Sequence, residues 1–297
     1  MERYGFQEIH NEAKMLFDLK VFYQFTKFPI ALSITMSFAL GYILFPQKEI
    51  EKIHYTLLGV FLLSCGAAAL NQYQEKDIDA LLHRTQHRPL PSGQISNKKA
   101  LSLLLFLCMA GLFLLFLNAS LEALGLGIFS LVWYNGVYTP LKRKTIWAAI
   151  PGSLIGAIPP LLGWVCAGGS LVDKAIIQVS LFFFFWQIPH FWLLMLCHQE
   201  DYRESTLPSL VRALGVSHTQ KIAFYALVAT VTVSLPVIGH IESYILKDIL
   251  FAFGFVLLIV SQKILYSQDL KKNKKLFFLI NLYALLITLF LCIENLP

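Results

Sequence analysis

Charge is what this sequence has least of. Asp, Glu, Lys and Arg make up only 14% of its 297 residues, whereas 57% of the residues are apolar. A water-soluble domain has about a quarter of its residues charged. The shortage of charge excludes a soluble globular protein and indicates that most of the chain lies in lipid.

The sequence also lacks cysteine pairs and long polar linkers. Its five cysteines fall in or beside apolar segments without the spacing of a disulfide or metal motif, so they are predicted to be small buried side chains. No polar stretch is long enough to separate two soluble domains. We therefore predict a cytoplasmic interfacial segment at residues 1–27, followed by a single membrane domain at residues 28–297.

Long apolar runs are abundant instead. A helix of about 20 apolar residues spans a bilayer, because every backbone polar group must be paired within the segment. Nine segments meet this condition: 28–45, 54–74, 98–117, 120–138, 146–168, 175–197, 218–239, 244–263 and 276–293. They predict an all-α polytopic membrane protein with nine transmembrane helices.

The basic residues lie on alternate sides of these nine segments in very unequal numbers. Of the 24 Lys and Arg residues, the outer side receives only Lys48, Lys52, Lys174 and Lys247. By the positive-inside rule this places the N-terminus in the cytoplasm and the C-terminus outside. The net charge of +6 then follows from membrane topology and implies no nucleic-acid partner. A bacterial inner membrane fits better than a mitochondrion, because the first 27 residues lack a targeting pattern.

A polar stripe ends the second apolar segment, in "NQYQEKDIDALLHRTQHRPLPSG" at residues 71–93. Asn71, Glu75 and Asp79 recur every four residues and therefore share one helix face. An amide and two carboxylates one turn apart are oxygen ligands suited to Mg²⁺ shared with phosphate. Arg84 and Arg88 follow, and guanidinium groups suit phosphate oxygens. The stretch predicts a site for a metal and a polyphosphate at the cytoplasmic interface.

Three other interpretations of this stretch remain open. The acidic residues could be a solvated helix end, or they could form a transition-metal site with His83 and His87. They could also mark an ion path, since acidic residues inside membranes often do. The nearby arginines would repel a cation, which disfavours the last alternative.

Two more charged clusters fall on the same side of the membrane. In "YNGVYTPLKRKT", Tyr138 and Lys142 are four residues apart and could contact one phosphate, while Arg143 extends a cationic run that topology alone also explains. After the sixth segment, "HQEDYRE" supplies Asp201. The three clusters together predict one charged site facing the cytoplasm.

The sixth apolar segment is rich in aromatic residues. Its sequence "FFFFWQIPHFW" contains Trp186 and His190. A lone histidine in an apolar helix is more often a hydrogen-bonded core residue than a ligand. The aromatic surroundings nevertheless favour a large flat substrate close to these two side chains.

Four motifs occur in the order found in the intramembrane UbiA-type prenyltransferases, and they resemble the haem-farnesylating branch of that family. They are "NQYQEKDIDALLHRT…RPLPSG", "YTPLKRKT", "IGAIPPLLGW" and "WQIPHFW…EDY". The resemblance implies nine transmembrane helices around a central cavity that opens to the cytoplasmic side. It also implies Mg²⁺-dependent transfer of farnesyl from farnesyl diphosphate to a vinyl group of haem B, with addition of water, giving haem O and diphosphate.

The resemblance also implies roles for individual residues that the patterns above single out. The expected metal ligands are Asn71, Glu75, Asp79 and Asp201. The expected diphosphate contacts are Arg84, Arg88, Tyr138, Lys142 and Arg143. The residues expected to carry the catalysis are Asn71, Glu75, Asp79, Arg84, Lys142 and Asp201. Trp186 and His190 are expected to contact haem, with His190 at the iron or a propionate.

Two departures from the wider family pattern stand out. Glu75 replaces an aspartate and keeps a carboxylate, whereas Cys197 replaces an acid, so how a second Mg²⁺ is held stays open. The alternatives are prenylation of an aromatic quinone precursor and, in a different class, a membrane carrier of metal or haem. The expected partners are the two substrates, the lipid bilayer, and haem-handling or oxidase-assembly proteins.

Overall fold

The computed structural model describes residues 18–204, 207–265 and 270–296, and within these ranges the chain forms helices and their connections. Most of the predicted interfacial segment, residues 1–17, lies outside the described residues. The remainder of that segment begins with a short helix, Asp18–Phe25. The prediction of an all-α membrane protein is confirmed by this architecture.

The helices are numbered in chain order. They are α1 (Asp18–Phe25), α2 (Phe28–Leu44), α3 (Ile53–Asp79), α4 (Asn97–Asn118), α5 (Leu121–Leu131), α6 (Thr139–Leu141), α7 (Ala149–Gly152), α8 (Leu154–Cys166), α9 (Lys174–Cys197), α10 (Gln199–Glu204), α11 (Leu210–Gly239), α12 (Tyr244–Leu265) and α13 (Leu270–Asn295). A 3₁₀ turn, Ile50–Lys52, precedes α3, and a π-helix, Val132–Tyr138, joins α5 to α6.

Seven helical stretches of the described chain are long and apolar enough to cross a membrane, and one of them, Ala149–Cys166, consists of α7 and α8 together. There are eight if α1 and α2, which meet at a bend of 53°, form one span. The protein is therefore an integral membrane protein. The fourth predicted segment, 120–138, differs from a plain helix, because α5 gives way to the π-helix at Val132. Nine crossings stay a prediction.

The described residues form four apolar clusters, of which two are the largest. One is drawn mainly from α9, α11, α12 and α13, with Phe182 and Tyr283 among its fully buried side chains. The other joins α2, α3, α4, α5 and α8 around Phe38 and Leu115. Between them lies a cavity of about 710 Å³ lined by residues of α2, α3, the π-helix, α8, α9 and α13. This cavity carries the candidate site.

The wall of the cavity depends on a close approach of α2 to α8. A Cβ added at Gly41 would collide with the backbone of Pro160, and one added at Gly163 would collide with the carbonyl of Phe38. Helices without a hydrophobic driving force between them associate through such small residues. The two glycines thus let α2 and α8 form one continuous wall.

Gly163→Ala is expected to destabilise the bundle by about 1–3 kcal/mol, because a side chain there forces two backbones apart. Gly125→Ala is the matched control, since nothing lies within 4 Å of a Cβ at that position. Thermal unfolding of the purified variants in detergent measures the difference. Equal midpoints for the two variants would show that the close approach is not needed.

Candidate functional site

Helix α3 places the polar stripe on the cavity wall. Asn71, Glu75 and Asp79 all line the cavity, and Asn71 and Asp79 are only 1% and 3% exposed. The helix continues to Asp79 and then gives way to turns, so all three side chains are held by one rigid element. The structure therefore brings the predicted amide and two carboxylates together on one face.

The two carboxylates of α3 that line the cavity are each paired with a basic side chain from another part of the chain. Nζ of Lys142 lies 2.6 Å from Oε1 of Glu75, and Nη1 of Arg88 lies 2.6 Å from Oδ2 of Asp79. Lys142 also lies over the ring of Tyr138, 5.1 Å from its centroid. Because these groups are largely shielded from water, their charges are weakly screened. A metal ion could bind the carboxylates of both pairs, and a polyphosphate could then pair with the basic side chains that are released.

The rim of the cavity carries a looser pair. Nε of Arg84 lies 3.9 Å from Oδ2 of Asp201, and Arg84 lines the cavity whereas Asp201 stands outside its wall. Burial, and then the charge of Arg84, lower the pKa of His198 beside this pair. Burial raises the pKa of Tyr202, which lines the cavity, so its phenol keeps the proton and can donate a hydrogen bond to an anion.

Lys27 is a site residue that sequence reasoning missed. It lies between α1 and α2 with a positive φ of 50°, and its Nζ donates a 2.8 Å hydrogen bond to Oδ1 of Asn71. Nδ2 of Asn71 in turn donates to Oγ1 of Thr139. In the sequence, Lys27 is one of the basic residues that indicate topology, and no motif connects it with Asn71. It adds a further basic side chain to the charged end of the cavity.

The π-helix sets an aromatic face beside the charged end. The rings of Tyr134 and Tyr138 stack with centroids 6.0 Å apart, and Tyr138 stacks on Phe191 of α9 at 5.8 Å. Nδ2 of Asn135 donates to the carbonyl of Ala67 on α3, which fixes the π-helix against the stripe. Short π-helical turns often occur at functional sites. Tyr134 and Phe191 were not among the predicted site residues.

Helix α9 contributes both predicted haem contacts to the cavity wall. His190 lines the cavity, and its Nδ1 lies 2.8 Å from Oδ1 of Asn281 on α13. Trp186 also lines the cavity and donates from Nε1 to the carbonyl of Ile280, 3.2 Å away. Both side chains are thus held by α13, a helix that the sequence analysis did not connect with the site.

The structure does not bring every predicted residue to the cavity. Arg143 is exposed and does not line the cavity, and its Nη2 donates to the carbonyl of Gln74. His83 and His87 contact each other, with ring centroids 6.4 Å apart, outside the cavity wall. Across the residues that the structure describes, no three His, Cys, Asp or Glu side chains form a metal-binding group.

A magnesium site fits the donors that are present. Mg²⁺ is usually bound through one or two carboxylates together with water and substrate phosphates, and not by an all-protein cage. Glu75 and Asp79 supply two carboxylates on the cavity wall, and Asn71 supplies an amide oxygen. The donor set lacks the soft ligands that a transition metal would favour.

Comparison with known proteins agrees with this architecture. Residues 30–283 match the model of the UbiA prenyltransferase family. The chain belongs to this family and is an enzyme that transfers prenyl groups. Membership favours an enzyme over a membrane carrier of metal or haem.

Among its relatives is a protoheme IX farnesyltransferase of Geobacter sulfurreducens, 40% identical over 202 residues, which are 67% of this chain and 74% of that protein. The protoheme IX farnesyltransferase of Legionella pneumophila is 32% identical over 249 residues, 83% of this chain and 84% of the relative. Both relatives thus carry the same name, and both align over more than two thirds of their length.

Solved structures confirm the fold. A digeranylgeranylglyceryl phosphate synthase superposes with a TM-score of 0.72 at 20% identity, covering 93% of this chain and 98% of that one. A UbiA homolog from Archaeoglobus fulgidus, bound to GPP and Mg²⁺, superposes with a TM-score of 0.66 at 13% identity, covering 91% and 99%. The helical arrangement around the cavity is therefore that of the UbiA fold.

Proposed function

We propose that this protein transfers the farnesyl group of farnesyl diphosphate to a vinyl group of haem B, with addition of water, giving haem O and diphosphate. The observation that supports this most is the two-ended cavity of about 710 Å³. Paired carboxylates and cations line one end, and Trp186 and His190 lie among aromatic side chains in the same wall. The name shared by the curated relatives supports haem as the acceptor.

The charged end is proposed to bind the diphosphate. Arg84, Arg88, Lys142 and Tyr138 line it and supply guanidinium, ammonium and hydroxyl donors to phosphate oxygens. Asn71, Glu75 and Asp79, with Asp201 at the rim, would hold Mg²⁺. When bound, the metal supplies positive charge that stabilises the leaving diphosphate.

Cleavage of the allylic C–O bond needs stabilisation of the charge on both fragments, the diphosphate and the farnesyl cation. As the allylic C–O bond breaks, Lys142 and Arg88 stabilise the negative charge that develops on the diphosphate. The stacked faces of Tyr134, Tyr138 and Phe191 stabilise the allylic cation. The vinyl group then donates its π electrons to that cation, forming a carbon–carbon bond. Water captures the new cation beside the porphyrin and loses a proton.

The unequal distribution of Lys and Arg along the chain supports a membrane orientation. We place the protein in a bacterial inner membrane as one domain, residues 28–297, with nine crossings, a cytoplasmic N-terminus and a cavity open to the cytoplasm. The run from α5 through the π-helix to α6 supplies the crossing that a plain α-helix does not. Reporter enzymes fused to the C-terminus test this orientation. A reporter that is active only outside the cytoplasm should be active in the fusion, and a reporter that is active only in the cytoplasm should be inactive.

The proposed reaction is tested with membranes that contain the full-length protein, mixed with haem B, farnesyl diphosphate and Mg²⁺. Mass analysis of the extracted haem should show the mass of one farnesyl group and one hydroxyl group added. A chelator should abolish the product, and excess Mg²⁺ should restore it. An unchanged haem mass, or a prenylated aromatic quinone precursor in its place, would contradict the proposal.

Lys27→Met is expected to raise KM for farnesyl diphosphate by about 10- to 100-fold, the range set by loss of one hydrogen bond involving a charged group. Lys27 brings N–H donors to the cavity wall, where they can donate to the phosphate oxygens of the substrate. Lys20→Met is the control, because Lys20 is an exposed lysine of the neighbouring helix. Steady-state kinetics should separate the two variants, and equal KM values would remove Lys27 from the site.

A further inference from the structure

The hydrogen bonds of Asn281 fix which nitrogen of His190 carries the proton. Nδ2 of Asn281 donates a 2.6 Å hydrogen bond to the carbonyl of Phe277, one turn earlier on α13. A carbonyl oxygen can only accept, so this bond sets the orientation of the Asn281 amide. Oδ1 is then the atom that lies 2.8 Å from Nδ1 of His190. Because Oδ1 also can only accept, Nδ1 of His190 must be the donor.

The other ring nitrogen of His190 therefore carries a lone pair. No described residue forms a hydrogen bond with Nε2, and the side chain lines the cavity. The rings of Trp186 and Phe277 hold the imidazole, each with its centroid 4.9 Å away. Metal-ligating histidines usually donate their second N–H to a carbonyl or carboxylate oxygen, which fixes the tautomer and the ring orientation.

The imidazole also lies close to the reacting end of the cavity. The next residue along α9, Phe191, stacks on Tyr138, and Lys142 lies over that tyrosine ring. A porphyrin held through its iron at His190 would keep one edge near the aromatic stack. Iron ligation would thus set the distance between a vinyl group and the diphosphate end.

We propose that Asn281 is a positioning residue that presents Nε2 of His190 as an axial ligand to the iron of a metalloporphyrin in the cavity. The inference rests on the proposed function, in which the acceptor is a haem. The inference adds Asn281 of α13 to the site and assigns the tautomer of the His190 imidazole. The competing explanation is that the His190–Asn281 pair only joins α9 to α13, as polar pairs between membrane helices do.

The spectrum of bound haem distinguishes the two explanations. The purified full-length protein, loaded with haem B in detergent, should show a nitrogen-ligated ferric spectrum and, once reduced, an iron–histidine stretching band in the resonance Raman spectrum. His190→Ala should lose both signatures, and added imidazole should restore them. A pair with only a structural role would leave the spectrum unchanged.

Two variants of Asn281 test the positioning role. Asn281→Leu removes the acceptor and should weaken haem binding by about 10- to 100-fold. Asn281→Asp keeps an acceptor and makes it stronger, so it should move the iron–histidine band to higher frequency. Asn295→Leu is the matched control, because Asn295 lies on the same helix and makes the same bond to the carbonyl four residues earlier, at Leu291. It should leave haem affinity and spectrum unchanged.

The outcomes separate this inference from the proposed function. A wild-type protein that produces farnesylated haem but whose haem spectrum is unaffected by His190→Ala and Asn281→Asp overturns the inference and leaves the function standing. A wild-type protein that neither binds haem nor modifies it overturns both. Loss of the ligand signature in His190→Ala, with the frequency shift in Asn281→Asp, supports the inference.

Discussion

Asp79→Asn is expected to abolish prenyl transfer, lowering kcat/KM by at least about 10³-fold, which corresponds to about 4 kcal/mol of transition-state stabilisation. Asp79 is 3% exposed on the cavity wall and pairs with Arg88 at 2.6 Å. Removing its charge takes away a proposed metal ligand, and a bound metal ion contributes several kcal/mol of charge stabilisation. Kinetic measurement with haem B, farnesyl diphosphate and Mg²⁺ checks the expectation.

Asp77→Asn is the control for this variant. Asp77 lies two residues earlier on the same helix but is exposed, away from the cavity. It should retain wild-type activity, and both variants should insert in membranes at wild-type levels. Full activity of Asp79→Asn in the presence of Mg²⁺ would rule out the proposed metal site.

Lys142→Met is expected to lower kcat by about 10²- to 10³-fold, the usual effect of removing one preorganised donor from a developing negative charge. Lys142 forms the 2.6 Å pair with Glu75, so the substitution also leaves that carboxylate without its cation. Because the diphosphate carries more negative charge after cleavage than before, the loss should fall mainly on kcat and less on KM.

The same cationic run provides the comparison. Lys144 is exposed and does not line the cavity, so Lys144→Met should behave like wild type. Lys142→Arg should recover part of the activity, because it keeps the charge but changes its geometry. Equal losses in Lys142→Met and Lys144→Met would indicate a general effect of positive charge on topology, and not a role in the site.

Helical periodicity made the acidic stripe predictable. Residues four apart lie on one face of any α-helix, and this geometry is local, so Asn71, Glu75 and Asp79 could be grouped without knowing their neighbours. The apolar run ended the second predicted segment at residue 74, whereas α3 continues to Asp79. Hydropathy locates the lipid-embedded part of a helix, but the helix itself ends where its backbone hydrogen bonding stops.

Contacts that join distant parts of the chain were not predictable in this way. Lys27 meets Asn71 across 44 residues, and His190 meets Asn281 across 91 residues. Neither contact leaves a local pattern, because each depends on how complete helices pack. Arg143 shows the limit of grouping by sequence alone, since Lys142 lines the cavity whereas its neighbour Arg143 does not.

The π-helix constrains how this chain can change. A π-helical turn holds one more residue than an α-helical turn, so deleting a single residue between Val132 and Tyr138 would restore regular winding. The aromatic stack in this wide turn, Tyr134 on Tyr138 and Tyr138 on Phe191, would then be lost. Natural variants should therefore differ freely in the lipid-facing side chains of this stretch while conserving its length. An insertion or deletion there should abolish activity, even at a position far from any charged residue.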